Sequence, residues 1–93
     1  MIEDTEKDVR IRRLYYRANH RGIKEMDIIL GGFAATELVK LSDRELDDFE
    51  ALMEESDRDL FSWFINEVAF PLPELQAIFE RVSADSLNGG KVG

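Results

Sequence analysis

Few residues in this 93-residue chain could do chemistry, and most of them gather in one stretch. His20-Arg21-Gly22-Ile23-Lys24-Glu25-Met26-Asp27 places a titratable ring, two cations, a glycine and two carboxylates between two apolar-periodic segments. A histidine can exchange protons near neutral pH, and an arginine can grip a carboxylate or phosphate through its forked N–H groups. The partners that would turn these groups into a catalytic set are missing. His20 is the only histidine and there is no cysteine, which excludes histidine–cysteine and multi-histidine sites. A lone histidine beside arginines reads as a polar turn residue. Ser42, Ser56, Ser62, Ser83 and Ser86 have no base partner by sequence, and Ser42 and Ser56 sit where helix caps belong. Asp47-Asp48 and Glu54-Glu55 could in principle ligate a cation. They lack the loop spacing of a calcium site and read as solvated charge. Gly31-Gly32 follows no strand and is no phosphate loop. The chain is expected to be no enzyme and to hold no metal.

The alternative use of such a stretch is recognition. Arginine and tyrosine are enriched where protein interfaces concentrate their binding energy. Arg17, Arg21, Glu25 and Asp27 lie near Tyr15 and Tyr16 in sequence. Two readings of the junction stay open on the residues alone. In one, Gly22 closes the first helix or caps the second, Glu25 complements the dipole of the second helix, and Lys24 and Asp27 are merely exposed. In the other, the small glycine lets a partner's backbone approach while the charges fix its register.

Charge is unevenly spread. Seven of the 12 Lys and Arg residues (Lys7, Arg10, Arg12, Arg13, Arg17, Arg21 and Lys24) precede residue 25, and the chain beyond is acidic. The formal charge of −8 argues against general nucleic-acid binding. The basic first helix still supports an alternative class, a nucleic-acid-binding or toxin-regulating helical module.

Five helices must position these groups. Ile11, Leu14, Tyr15 and Ala18 give an apolar stripe from about Asp8 to Asn19, with Arg10, Arg13 and Arg17 on another face. A second helix runs from about Ile23 to Val39 on Met26, Ile29, Leu30, Phe33 and Leu38. Two interior glycines cost about 1 kcal/mol each against alanine, so Gly31-Gly32 predicts close backbone packing rather than a break. Ser42-Asp43-Arg44-Glu45 is a capping box opening a third helix to about Glu54, with Leu46, Phe49, Leu52 and Met53 inward. Ser56 starts a fourth, whose Leu60, Phe61, Trp63, Phe64, Ile65 and Val68 are expected at the centre of the core, and which Pro71 ends. Pro73 opens a fifth with Leu75, Ile78, Phe79 and Val82 buried. The expected fold is all-α, a compact five-helix bundle. It forms a single domain over 1–93, with an ordered core about 8–82 and a flexible C-terminal tail 83–93.

No apolar run approaches the ~20 residues of a membrane span. Met1-Ile2-Glu3-Asp4 is acidic where a secretory or transit leader would be basic, so the expected compartment is the bacterial cytoplasm.

Arg21-Gly22-Ile23-Lys24-Glu25, followed by Met26-Asp27-Ile28-Ile29-Leu30-Gly31, resembles the R-G-x-x-E signature of the succinate dehydrogenase assembly (flavinylation) factors. Arg13-Leu14-Tyr15-Tyr16-Arg17, Ser42-Asp43 and Asp57-Arg58-Asp59-Leu60-Phe61-Ser62-Trp63 resemble the later and earlier landmarks of that family, so the likeness covers about residues 9–82. Gly32 departs from it, standing where a larger or charged residue is expected. The resemblance implies a chaperone that binds the flavoprotein subunit of succinate dehydrogenase, or of the related fumarate reductase, and promotes covalent attachment of FAD to a histidine of that subunit. FAD would be the partner's cofactor, with none bound stably by this chain, and the helper itself a monomer. Arg21, Gly22 and Glu25 would carry the signature role, with Asp27 their companion. The basic face adds Arg13, Arg17 and His20 to the expected partner-binding set.

Overall fold

The computed structural model describes residues 5–90, with side chains through residue 86. Its helices are α1 (Glu6–Ala18), α2 (Lys24–Glu37), α3 (Asp43–Met53), α4 (Asp57–Phe64) and α5 (Gln76–Gly90), and no strand occurs among the described residues. The all-α, five-helix expectation holds.

Local chemistry sets most of the starts. Thr5 and Asp8 form a reciprocal capping box on α1, which moves its start ahead of the expected Asp8. Ser42 and Glu45 form the expected box on α3, and the Ser56 hydroxyl accepts from the Asp59 N–H at the head of α4. Pro73 opens a short 3-10 turn (Pro73–Leu75) that leads into α5.

The ends are less local. α2 gives way at Leu38 to a 3-10 turn, Leu38–Lys40, rather than running to Val39. Three residues per turn place Leu38 and Leu41 on one side, and both are buried. α4 stops at Phe64, well before Pro71. Asn66 takes a left-handed backbone (φ 63°), its N–H donates to the Trp63 carbonyl, and the Glu67 N–H donates back to Ser62. That pair of bonds is the Schellman arrangement, with asparagine in the place usually held by glycine. α5 continues through Gly90, although a flexible tail was expected from 83. Ser83-Ala84-Asp85-Ser86-Leu87 contains no breaker, so nothing ends the helix at Val82. The tail expectation for residues 91–93 lies outside the described residues.

Early termination of α4 also corrects the core. Leu60 and Trp63 are buried, but Ile65 and Val68 are 48% and 50% exposed, and Phe61 and Phe64 are only partly covered. The core instead forms around α2, which packs against α1, α4 and α5; Ala18, Met26, Leu30, Phe33, Leu46, Phe49, Leu52, Leu60 and Val82 are fully buried, and the Phe33 and Phe49 rings stack at 5.5 Å. A second aromatic cluster folds the 65–72 segment onto α5. Phe70 stacks on Phe79 at 4.1 Å and meets Trp63 edge-on at 5.2 Å, and Phe64 stacks on the other side of the same group, 4.8 Å from Phe79.

The two interior glycines divide. A Cβ on Gly31 would lie 2.8 Å from Cγ of Asn19, so α1 and α2 approach through the missing side chain, as expected. A Cβ on Gly32 would meet nothing within 4 Å. Close packing explains the first glycine and not the second.

Candidate functional site: the junction between α1 and α2

The junction is held at both ends. Asn19, the C-cap of α1, donates from Nδ2 to the Tyr15 carbonyl (2.8 Å) while its amide rests against Gly31. At the other end Ile23 is the N-cap of α2 and offers no side-chain cap bond. Gly22 therefore neither closes α1 nor caps α2, and it has no positive φ. The Asp27 carboxylate instead reaches back and accepts from the Arg21 N–H at 2.5 Å.

Arg21 is the most deeply engaged of the expected site residues, with its side chain only 12% exposed. Nε donates to Oδ1 of Asp57 (2.7 Å), Nη1 to the Met53 carbonyl (2.8 Å) and Nη2 to the Glu55 carbonyl (3.0 Å). The guanidinium thus satisfies carbonyls at the C-terminal end of α3 and pairs with the first residue of α4. Cations are favoured at the one position and anions at the other. The second Asp57 oxygen, Oδ2, accepts from the Gly22 N–H at 2.7 Å. A Cβ on Gly22 would lie 3.0 Å from that oxygen, so glycine is the residue that fits without moving the carboxylate.

The other expected residues divide between solvent and intramolecular pairing. Gly22, Lys24 and Glu25 are exposed. His20 is exposed and stacks on Tyr16, with centroids 3.8 Å apart, and its Nδ1 lies 2.7 Å from the Tyr16 carbonyl. Tyr16 is itself 62% exposed. Arg13 is exposed and makes no ion pair among the described residues. Arg17 does not face outward as a free cation. It binds Glu54 at 2.6 Å and Glu50 at 3.4 Å, while Arg10 binds Asp47 at 2.6 Å and Glu50 at 3.0 Å. The hydrogen bond that Arg10 donates to Asp47 is the main reason its guanidinium holds its proton more firmly than usual. Each exposed pair of this kind is worth only about 0.2–1 kcal/mol. Together they cover much of the positive face of α1 with acids of α3, which removes the main motive for the nucleic-acid alternative.

In the sequence Asp57 reads as a first-turn residue of the fourth helix and as part of the Asp57–Trp63 landmark, with no tie to the junction. Its distance of 35 positions from Gly22 hides their contact, and no spacing rule could reveal it. Asn19 was likewise taken as a helix end. A polar residue at the end of α1 and a glycine inside α2 were the two visible halves of that contact.

Among the described residues no group of three or more histidine, cysteine or carboxylate side chains could hold a metal. A shallow, open hollow of about 380 Å³ lies between Glu6, Lys7, Arg10, Asp43 and Asp47. All five lining residues are charged and none is aromatic.

Fold and site together define a small helical bundle with a tied, mixed-charge junction at its surface. Its sequence says with which family it belongs. Residues 12–86 match the family model described as flavinator of succinate dehydrogenase, and the chain belongs to that family. It is 36% identical over 77 residues to the FAD assembly factor SdhE of Acetobacter pasteurianus, covering 83% of this chain and 71% of the relative. It is 41% identical over 68 residues to the mitochondrial succinate dehydrogenase assembly factor 2 of Candida glabrata, covering 72% of this chain and 44% of the relative. The corresponding Saccharomyces cerevisiae protein is 40% identical over 68 residues, with 42% of its length covered. The chain therefore spans less than half the length of these yeast relatives.

Proposed function

We propose that this chain is an assembly factor that binds the flavoprotein subunit of succinate dehydrogenase and promotes covalent attachment of FAD to it. The observation that carries this reading is the family match across residues 12–86, which includes the whole Arg21–Glu25 signature. The related fumarate reductase subunit is a second client. The chain acts as a monomer and performs no catalysis of its own. It holds the flavoprotein in a geometry in which the flavin and its acceptor histidine react, a positioning effect. FAD stays with the client. The hollow beside Lys7 and Arg10, with its charged walls, is ill suited to a flavin ring. The bacterial cytoplasm is the compartment we assign, by likeness to the bacterial relative.

The contact surface is centred on the exposed part of the junction, Gly22, Glu25 and His20, and takes in the exposed Arg13 of α1. Arg21, Asp27 and Arg17 support it from within, Arg21 and Asp27 by fixing the loop and Arg17 by tying α1 to α3. Gly22→Arg should abolish client binding while leaving helix content unchanged by circular dichroism, since Gly22 is exposed, its backbone conformation is ordinary, and its Cβ crowds only the tip of the Asp57 side chain. Loss of helix content together with binding would make the glycine purely structural. The decisive experiment is co-expression of the flavoprotein subunit with and without this chain, reading covalent flavin by in-gel fluorescence. Equal covalent flavin in the two cultures would sink the proposal.

A further inference from the structure

We propose that Asp57 is a positioning residue for client recognition, acting through Arg21 and Gly22 to hold the junction in the shape that the flavoprotein reads. This rests on the function proposed above and extends it to a residue outside the signature.

Asp57 uses one oxygen for each half of the Arg21-Gly22 pair: Oδ1 accepts from the arginine Nε and Oδ2 from the glycine N–H, both at 2.7 Å. The carboxylate is 19% exposed and stands at the head of α4, where the helix dipole favours its charge. Arg21 spends its remaining donors on the carbonyls of Met53 and Glu55. A guanidinium committed in this way cannot also grip a client without releasing the α3–α4 turn. Arg21 therefore serves recognition indirectly. The turn between α3 and α4 acts as a template, and the junction between α1 and α2 is fastened to it through Asp57. Without this anchor the Gly22 N–H faces water, the guanidinium loses its charged partner, and the loop must be ordered anew each time a client binds. Ordering that could have been completed in folding is then subtracted from affinity.

The test uses the full chain and a purified flavoprotein subunit of a bacterial succinate dehydrogenase. Affinity is measured by calorimetry, at a temperature where circular dichroism shows each variant folded. Asp57→Asn keeps an acceptor for Gly22 but removes the charge that pairs Arg21. Asp57→Glu keeps the charge but displaces it by a methylene. Amide hydrogen exchange at Gly22 is followed in parallel. The expected result is a protected Gly22 amide in the wild-type chain. In each folded variant that protection falls, less in Asp57→Asn than in Asp57→Glu, and affinity falls about tenfold, the scale of one charge-assisted hydrogen bond. A merely structural role would lower the melting temperature but leave the affinity of the folded protein in place. A folded variant that binds within about twofold of wild type overturns the proposal. So does free exchange at Gly22 in the wild-type chain, a measurement that stands even where neither variant folds. Failure of the wild-type chain to bind the flavoprotein at all would instead refute the proposed function.

Discussion

At the scale of single residues, the five-residue signature separates into parts with different physical jobs. Arg21 is turned inward and satisfies an acid and two carbonyls, while Glu25 is exposed and makes no ion pair among the described residues. Removing one partner of a largely buried ion pair leaves the other uncompensated, at a cost of about 3–5 kcal/mol. Arg21→Ala should therefore lower the urea midpoint sharply and weaken client binding with it. Glu25→Ala should change stability by less than about 0.5 kcal/mol, as surface substitutions usually do, and still weaken binding. Equal effects of the two changes on the urea midpoint would contradict this division. The signature was legible in the sequence as a cluster of unusual types. Its inward and outward halves were not, because the partner that sorts them, Asp57, comes 35 positions later than Gly22.

At the scale of the helices, the paired glycines give a sharp contrast. Gly31 is buried against Asn19, so Gly31→Ala must displace the amide that caps α1 and should destabilise the fold. Gly32 is exposed within the same helix with open space beyond it. Gly32→Ala should stabilise by about 0.5–1 kcal/mol, because alanine loses less backbone freedom in a helix. For a domain of this size a gain of 1 kcal/mol raises the melting temperature by roughly 4–8 °C, which a thermal melt resolves. Starts were readable because caps act within four residues, as Ser42 and Ser56 show. Ends were harder. Pro71 is the obvious stop for α4 in the sequence, but Asn66 turns the chain first through a left-handed backbone that most residue types disfavour.

At the scale of the whole molecule, the −8 charge and the basic first segment are two halves of one arrangement. α1 lays its arginines on the carboxylates of α3, so sequence-distant charge blocks meet across the bundle. Acid should loosen the protein through the head of α3. The Glu45 carboxyl is held below its usual 4.5, first by the Ser42 backbone N–H. A depressed folded value means that the stabilisation is present above 4.5 and disappears as pH falls through that lower value. Asp85 acts in the opposite sense. Burial, and then Glu37, push its carboxyl upward, so its contribution is favourable in acid and fades as pH rises. The urea midpoint should drop between pH 7 and pH 3. Glu45→Gln, which keeps the reach-back bond without titrating, should shrink that drop. An unchanged drop in the variant would show that the α3 cap is not among its causes.

Periodicity, caps and composition by themselves determined the all-α class, the approximate starts of the helices and the inward residues of α3 and α5. These depend on neighbours three or four positions apart, where side chains on one helix face meet. The signature and its family likeness were also written in the order of the residues. Tertiary structure alone decided that the core forms around α2, that Arg10 and Arg17 of α1 pair with the carboxylates beside them, and that Arg21 and Gly22 are moored to Asp57. Those facts require helices far apart in sequence to be placed side by side, and packing rather than local preference places them.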